Sequence, residues 1–181
     1  MTANEALTPI VRQLMAELQT TLRAELVAQG HSLSGNLEKS IDYEIESGAD
    51  GVTGTMFFED YGIFVEVGVS AQNIPYDPTG PARGGTSQYI QGLISFWEQR
   101  GLTGREAISA AFATAKVHAR EGMPTRASGR FSETGERTGF IARTIEKELP
   151  KIGAILETEF AQKIEIVFSD AIRQDNILIE V

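Results

Sequence analysis

The residue types here that could do chemistry are two histidines, a row of carboxylates and a group of arginines. His31 and His118 are the only histidines in the chain. His31 falls in a loop after the first helical segment, and His118 on a helix with Lys116 and Arg120 around it. Neither has a second histidine at metal-ligand spacing, so each reads as a lone surface imidazole. Asp42, Glu44 and Glu46 alternate along one stretch. On a strand they share a face, about 7 Å apart per step of two residues. General acid–base work needs two acids converging in a cleft, and a row along a strand is a solvated acidic stripe instead. There is no cysteine, which excludes a disulfide framework, a thiolate metal ligand and a thiol nucleophile. The Gly-x-Ser-x-Gly elbow of serine hydrolases is absent. Ala82-Arg83-Gly84-Gly85-Thr86 precedes a helical pattern, but without Walker spacing or a Lys-Ser/Thr pair it reads as a flexible loop. The sequence therefore predicts no enzyme, no cofactor and no metal site.

The arginines allow two readings. Arg126, Arg130 and Arg137 sit in one polar segment with Phe131 among them. They could grip phosphates while Phe131 stacks on a base, or they could grip an acidic protein surface. Net charge is -9 and the pI about 4.8, a poor balance for free DNA binding, which draws mainly on Lys and Arg. Protein contact is the preferred reading. From Glu38 to Glu66 eight acids face Lys39 alone, while Lys116 to Arg143 is the basic segment. These are either two solvated surfaces or opposite patches that steer head-to-tail association between subunits.

The elements that position these residues make an α+β chain. Its 181 residues suffice for one domain with a core. Leu7, Ile10, Val11, Leu14, Leu18, Leu22 and Leu26 recur at helical spacing and predict an N-terminal helix, with Thr8-Pro9 as cap and first position or a start one turn earlier, and a stop at Gly30. Leu37, Ile41, Tyr43 and Ile45 predict a strand, Ser47 to Gly51 a turn, and Val52 to Phe58 a second strand of a small antiparallel sheet. Gly54 marks a bulge or a close backbone approach. Residues 61–69 read as a third strand or, at Tyr61 to Phe64, as a short helical turn. A loop follows at 73–86. A helical insertion at about 87–122 has two helices, the second opened by a capping box at Thr103 to Glu106. After a second polar loop at 125–138, a helix starts near Gly139, Pro150 breaks it or starts the next one, and these C-terminal helices pack on the sheet. The terminus at about 174–181 reads as a mobile tail whose β-type residues add to a sheet or pair with a neighbour. Met1 to Glu5 has no basic or apolar leader pattern, and no run approaches a membrane span.

Three motifs then stand in order: Gly35-Asn36-Leu37-x-x-Ser40-Ile41; Tyr61-Gly62-Ile63-Phe64-Val65-Glu66-Val67-Gly68; and Arg120 to Thr125 followed by Phe131-Ser132 and Gly135-x-x-Thr138-Gly139-Phe140. Together they resemble the phage neck and tail-completion (head–tail joining) proteins of tailed double-stranded DNA phages, over roughly residues 1–165. Gly62 stands where the family usually has Ala, and Val69 where Thr is frequent. The resemblance implies a virion structural protein without catalysis, a subunit of a homo-oligomeric ring (a hexamer or dodecamer) that joins head to tail. Its partners would be itself, a portal or head-closure ring, and tail proteins, with genomic DNA passing through unread. It would reside in the virion, and in the host cytoplasm during assembly, with no membrane. Tail terminator or head-closure roles share such small subunits; the alternative of another class is a DNA-binding accessory protein using the basic loop. Expected interface residues are Arg126, Arg130, Phe131, Arg137, Phe140, Ile177 and Ile179, and Asp42, Glu44 and Glu46 are candidates for lining the channel.

Overall fold

A computed structural model describes the backbone of residues 3–49, 51–80 and 87–174, and the side chains of 4–49, 51–80, 87–159 and 161. The tail expectation, with Ile177 and Ile179, lies outside the described residues except for Gln174. In chain order the elements are α1 (Ala3–Ala28), α2 (Asn36–Ser40), β1 (Asp42–Gly48), β2 (Gly51–Phe57), α3 (Gly62–Val67), α4 (Gln88–Gln99), α5 (Gly104–Glu121) and α6 (Phe140–Gln174), with 3-10 turns at Ala71–Asn73 and Arg126–Phe131. This is the expected α+β class: an N-terminal helix, a small antiparallel sheet, a two-helix insertion and C-terminal helix.

The chain gathers into two compact units. One draws on Met1–Arg23, Ser40–Phe58 and Ile141–Val181. In it, Ile10, Leu14 and Leu22 of the leucine stripe on α1 are buried, with Met15 besides, while Leu7, Val11 and Leu18 are half-buried. The hairpin pairs β1 and β2 in register from Asp42↔Phe57 to Gly48↔Gly51, without a bulge. Gly54 is the close approach: a Cβ there would stand 2.7 Å from the Met15 side chain and 3.2 Å from Val11 Cγ1. A side chain at this point would hold α1 off the sheet. Gln19 Nε2 and an Arg23 guanidinium NH2 both donate to the Ile41 carbonyl, at 2.8 and 2.7 Å, at the entry to β1. On α6, Thr144 and Glu148 are buried, and Lys151 Nζ donates to both Glu148 oxygens at 2.8 and 2.9 Å.

The other unit draws on Ala24–Lys39 and Glu59–Phe140. Here α4 and α5 pack together. α5 buries Ala107, Ala111 and Ala115, one residue per turn, so the helices approach closely. Ser87 Oγ caps α4 by accepting from the Ile90 amide at 3.3 Å. Leu26, Leu37, Ile74, Ile90 and Phe140 complete the interior. α3 and α5 each end at a glycine with positive φ, Gly68 (75°) and Gly122 (83°). The following residues, Val69 and Met123, pair through two backbone hydrogen bonds of 2.6 and 2.7 Å.

Several local expectations are corrected. Leu37 lies in α2, not in a strand, so β1 starts at Asp42. Of the two readings of residues 61–69 the helical one holds and extends further, over Gly62–Val67, and the third strand does not form. A strand there would need a partner edge for its amides, whereas the turn satisfies them at once: Gly62 N–H donates to the Glu59 carbonyl at 2.8 Å and Phe64 N–H to that of Tyr61 at 3.0 Å. Thr103 sits at the N-cap of α5 but its side chain makes no cap bond. Pro150 neither ends nor starts a helix; α6 runs through it as one helix.

Candidate assembly surface

The two histidines are held inside hydrogen-bond pairs and are not the surface groups the sequence predicts. His31 Nε2 lies 3.1 Å from the Arg137 carbonyl. Burial lowers its pKa most; the hydrogen bond opposes this and the Arg137 charge adds to it. His118 Nδ1 lies 2.7 Å from the Tyr89 hydroxyl. Burial lowers the His118 pKa and pushes that of Tyr89 up to about 12. Burial thus favours the neutral form of each imidazole, and each is bound to a structural partner. Among the described residues no group of three or more His, Cys, Asp or Glu could hold a metal ion. An open depression of about 670 Å³ runs along α1 past Arg12, Gln13 and Tyr43. Its lining holds three titratable side chains, Glu5, Arg12 and Tyr43.

Three features of the surface stand out. The first is the acidic strand face. Asp42, Glu44 and Glu46 are exposed while Tyr43 and Ile45 between them are half-buried. Their partners across the hairpin, Phe57, Thr55 and Thr53, are exposed on the same face. Asp42 Oδ1 accepts from the Tyr43 amide at 2.9 Å and from Gln19 Nε2 at 3.3 Å. Among the described residues no cation lies within ion-pair distance of Glu44 or Glu46.

The second is an arginine–phenylalanine corner. Phe131 is 51% exposed at the end of its 3-10 turn. The Arg130 guanidinium stands 4.7 Å from its ring centre, and that of Arg100, from the end of α4, 5.7 Å. Arg100 also lies 4.6 Å over Phe96. Cation–π contacts of this kind fix the guanidiniums without neutralising them. Arg137 is half-buried behind them; its NH2 donates to the Gly30 carbonyl at 3.4 Å. Burial, and after it the charge of Arg100, push its pKa below the ordinary value. The loop carrying this corner is pinned from several sides. The Glu133 amide donates to the Ala28 carbonyl at 2.8 Å and Gln29 Nε2 to that of Thr138 at 3.2 Å. The Phe131 carbonyl occupies the space a Cβ on Gly30 would need.

The third is α3 itself. Ile63, Phe64 and Val67 are exposed, Phe64 by 59% and Val67 by 68%. This is a short helix with apolar side chains turned to water and Gly62 turned inward. Isolated apolar residues on a surface are ordinary, but three on one short helix stand out. Ile145 and Leu149 on α6 are likewise exposed.

The structure thus places Arg130, Phe131 and Arg137 together, and adds Arg100 and Phe96, which sequence reasoning missed. The signal was weak: only the position of Arg100 at the end of an amphipathic helix sets it apart. Arg126 is exposed beside a different group, its amide donating to Glu121 Oε2 at 3.3 Å while Arg120 pairs with Glu121 Oε1 at 2.6 Å. Phe140 is fully buried, so its ring serves the interior and has no surface to offer a partner. The α3 face was in principle readable, from Ile63, Phe64 and Val67 at helical spacing between two glycines. Comparison with family models, with curated proteins and with solved structures finds no match for the chain.

Proposed function

We propose that the chain is a non-catalytic virion structural protein, a ring subunit of the neck or tail-completion complex that joins head to tail in a tailed double-stranded DNA phage. The observation that carries this reading is α3. The segment Tyr61 to Gly68, central to the resemblance, folds as a short helix that exposes Ile63, Phe64 and Val67. Leaving such residues in water forgoes the stabilisation of burial, roughly 25 cal/mol per Å² of apolar surface. A partner subunit or an adjoining ring recovers it. The unpaired acidic and basic surfaces support the same reading, because assembly parts carry charge that is matched only across a contact. The test is the mass of the purified protein by light scattering over a range of concentration. A discrete mass of a closed ring, such as a hexamer or dodecamer, is expected; a monomer at every concentration would overturn the reading.

The nucleic-acid alternative rests on the Arg130–Phe131 pair, an arginine stacked on an exposed ring. Against it, Arg137 is half-buried on the Gly30 carbonyl, and Arg126 stands by Glu121. Titration with DNA separates the two readings. An accessory DNA-binding protein binds with an affinity that falls steeply with salt and is lost in Arg130→Glu.

A further inference from the structure

We infer that the Arg100–Arg130–Phe131 corner of one copy docks on the acidic strand face of a second copy. The inference rests on the ring reading and names the two surfaces that meet. The corner holds like charges without a counter-anion. Arg100 and Arg130 flank one phenyl ring, Arg137 lies close enough for the Arg100 charge to act on it, and among the described residues no carboxylate pairs with any of the three. Two cations held against an exposed aromatic ring, with Arg137 near them, fit a surface that is both anionic and partly apolar. The chain carries such a surface. Glu44 and Glu46 are exposed and unpaired, and Phe57, 42% exposed, stands on the same face opposite Asp42. Guanidiniums fixed by ring contacts lose little freedom on binding a carboxylate, and planar bidentate pairs give register as well as attraction. Because the two patches differ, the contact is heterologous, the type that generates rings or open filaments rather than two-fold dimers. A second copy is favoured over nucleic acid because the net charge of -9 repels phosphates while the counter-surface is supplied by the chain itself.

The experiment uses charge reversal with mixing in the full-length chain. Arg100→Glu with Arg130→Glu spoils the corner; Glu44→Arg with Glu46→Arg spoils the strand face. Sedimentation at low salt is expected to show each double variant associating at least tenfold more weakly than the parent, with unchanged circular dichroism. Mixed, the Arg corner of one variant meets the acidic face of the other and the Glu corner meets the Arg face, so both contacts are restored and association recovers with the two variants alternating. The chain with all four changes associates again. This recovery separates loss of contact from loss of fold. If both double variants keep the parent's ring mass, the inference fails and the ring reading stands; the acidic stripe is then free for the channel. If the parent is a monomer throughout, both fail. If corner variants lose DNA affinity while self-association is unchanged, the corner is a nucleic-acid surface and the inference is overturned.

Discussion

The β1–β2 hairpin joins seven residue pairs in continuous register, whereas Val69 and Met123 meet in one isolated bridge. The hairpin is secured by repetition and by side chains: one face rests on α1 through Gly54 and Met15, and the other is open. The bridge has no repetition. It is secured by backbone shape, with left-handed glycines immediately before each bridging residue. At both glycines the space of a Cβ is already filled by a carbonyl of the opposite segment: Met123 O lies 2.6 Å from where a Gly68 Cβ would stand, and Val69 O 2.5 Å from where a Gly122 Cβ would stand. The same kind of pairing is therefore tolerant in one region and exacting in the other. The tolerant region carries the acidic face. The exacting one sets where α3 and α5 end, and so how α3 is presented.

The sharpest way to break this comparison is Gly122→Ala or Gly68→Ala. Each adds a strained φ to a collision with backbone that cannot rotate away, so about 3 kcal/mol or more of stability is expected to be lost in urea unfolding. A loss under 1 kcal/mol would show that the bridge gives way easily. Gly54→Ala should cost less, about 1–2 kcal/mol, because the atoms it meets belong to the flexible Met15 thioether. His118 precedes the bridge, with its carbonyl accepting from the Gly122 amide at 2.7 Å. Burial depresses the folded-state pKa of His118 and of His31 below 6.5. The unfolded chain then takes up protons first, so stability is full above pH 6.5 and falls as the pH drops through the folded-state values. His118→Gln should flatten part of that slope in thermal melts between pH 7 and 5; an unchanged slope would assign it elsewhere. The smallest effect is expected on the open hairpin face. Thr55→Ala and Glu44→Gln should stay within about 0.5 kcal/mol of the parent, since those side chains are exposed.

The same contrast explains what was legible in the sequence. α1 and the hairpin were readable because their patterns are regular: a leucine at each turn, then acids alternating with Tyr43 and Ile45. α4 and α5 were readable from breakers at Gly101 and Gly122. Residues 61–67 were readable only as a choice between strand and helical turn, because Ile63, Val65 and Val67 also fit a strand pattern, and the lack of a partner edge decides for helix. On α5 the periodicity includes Ile108 and Phe112, yet the interior is made of Ala107, Ala111 and Ala115; close helix packing favours the small side chains and leaves the large ones partly outside. The acidic face was visible as alternation. The arginine corner was not, since Arg100 and Arg130 come together only through the folded path of the 3-10 turn beside α4.

The central claim, that the chain is an assembly part whose exposed helix and charged faces are covered by neighbours, is tested most directly by electron-microscope images of the purified protein at the concentration where its mass levels off. Closed rings with an open axial channel are expected, dispersed to smaller particles by high salt. Compact single subunits, or closed two-fold dimers without a channel, would contradict the claim.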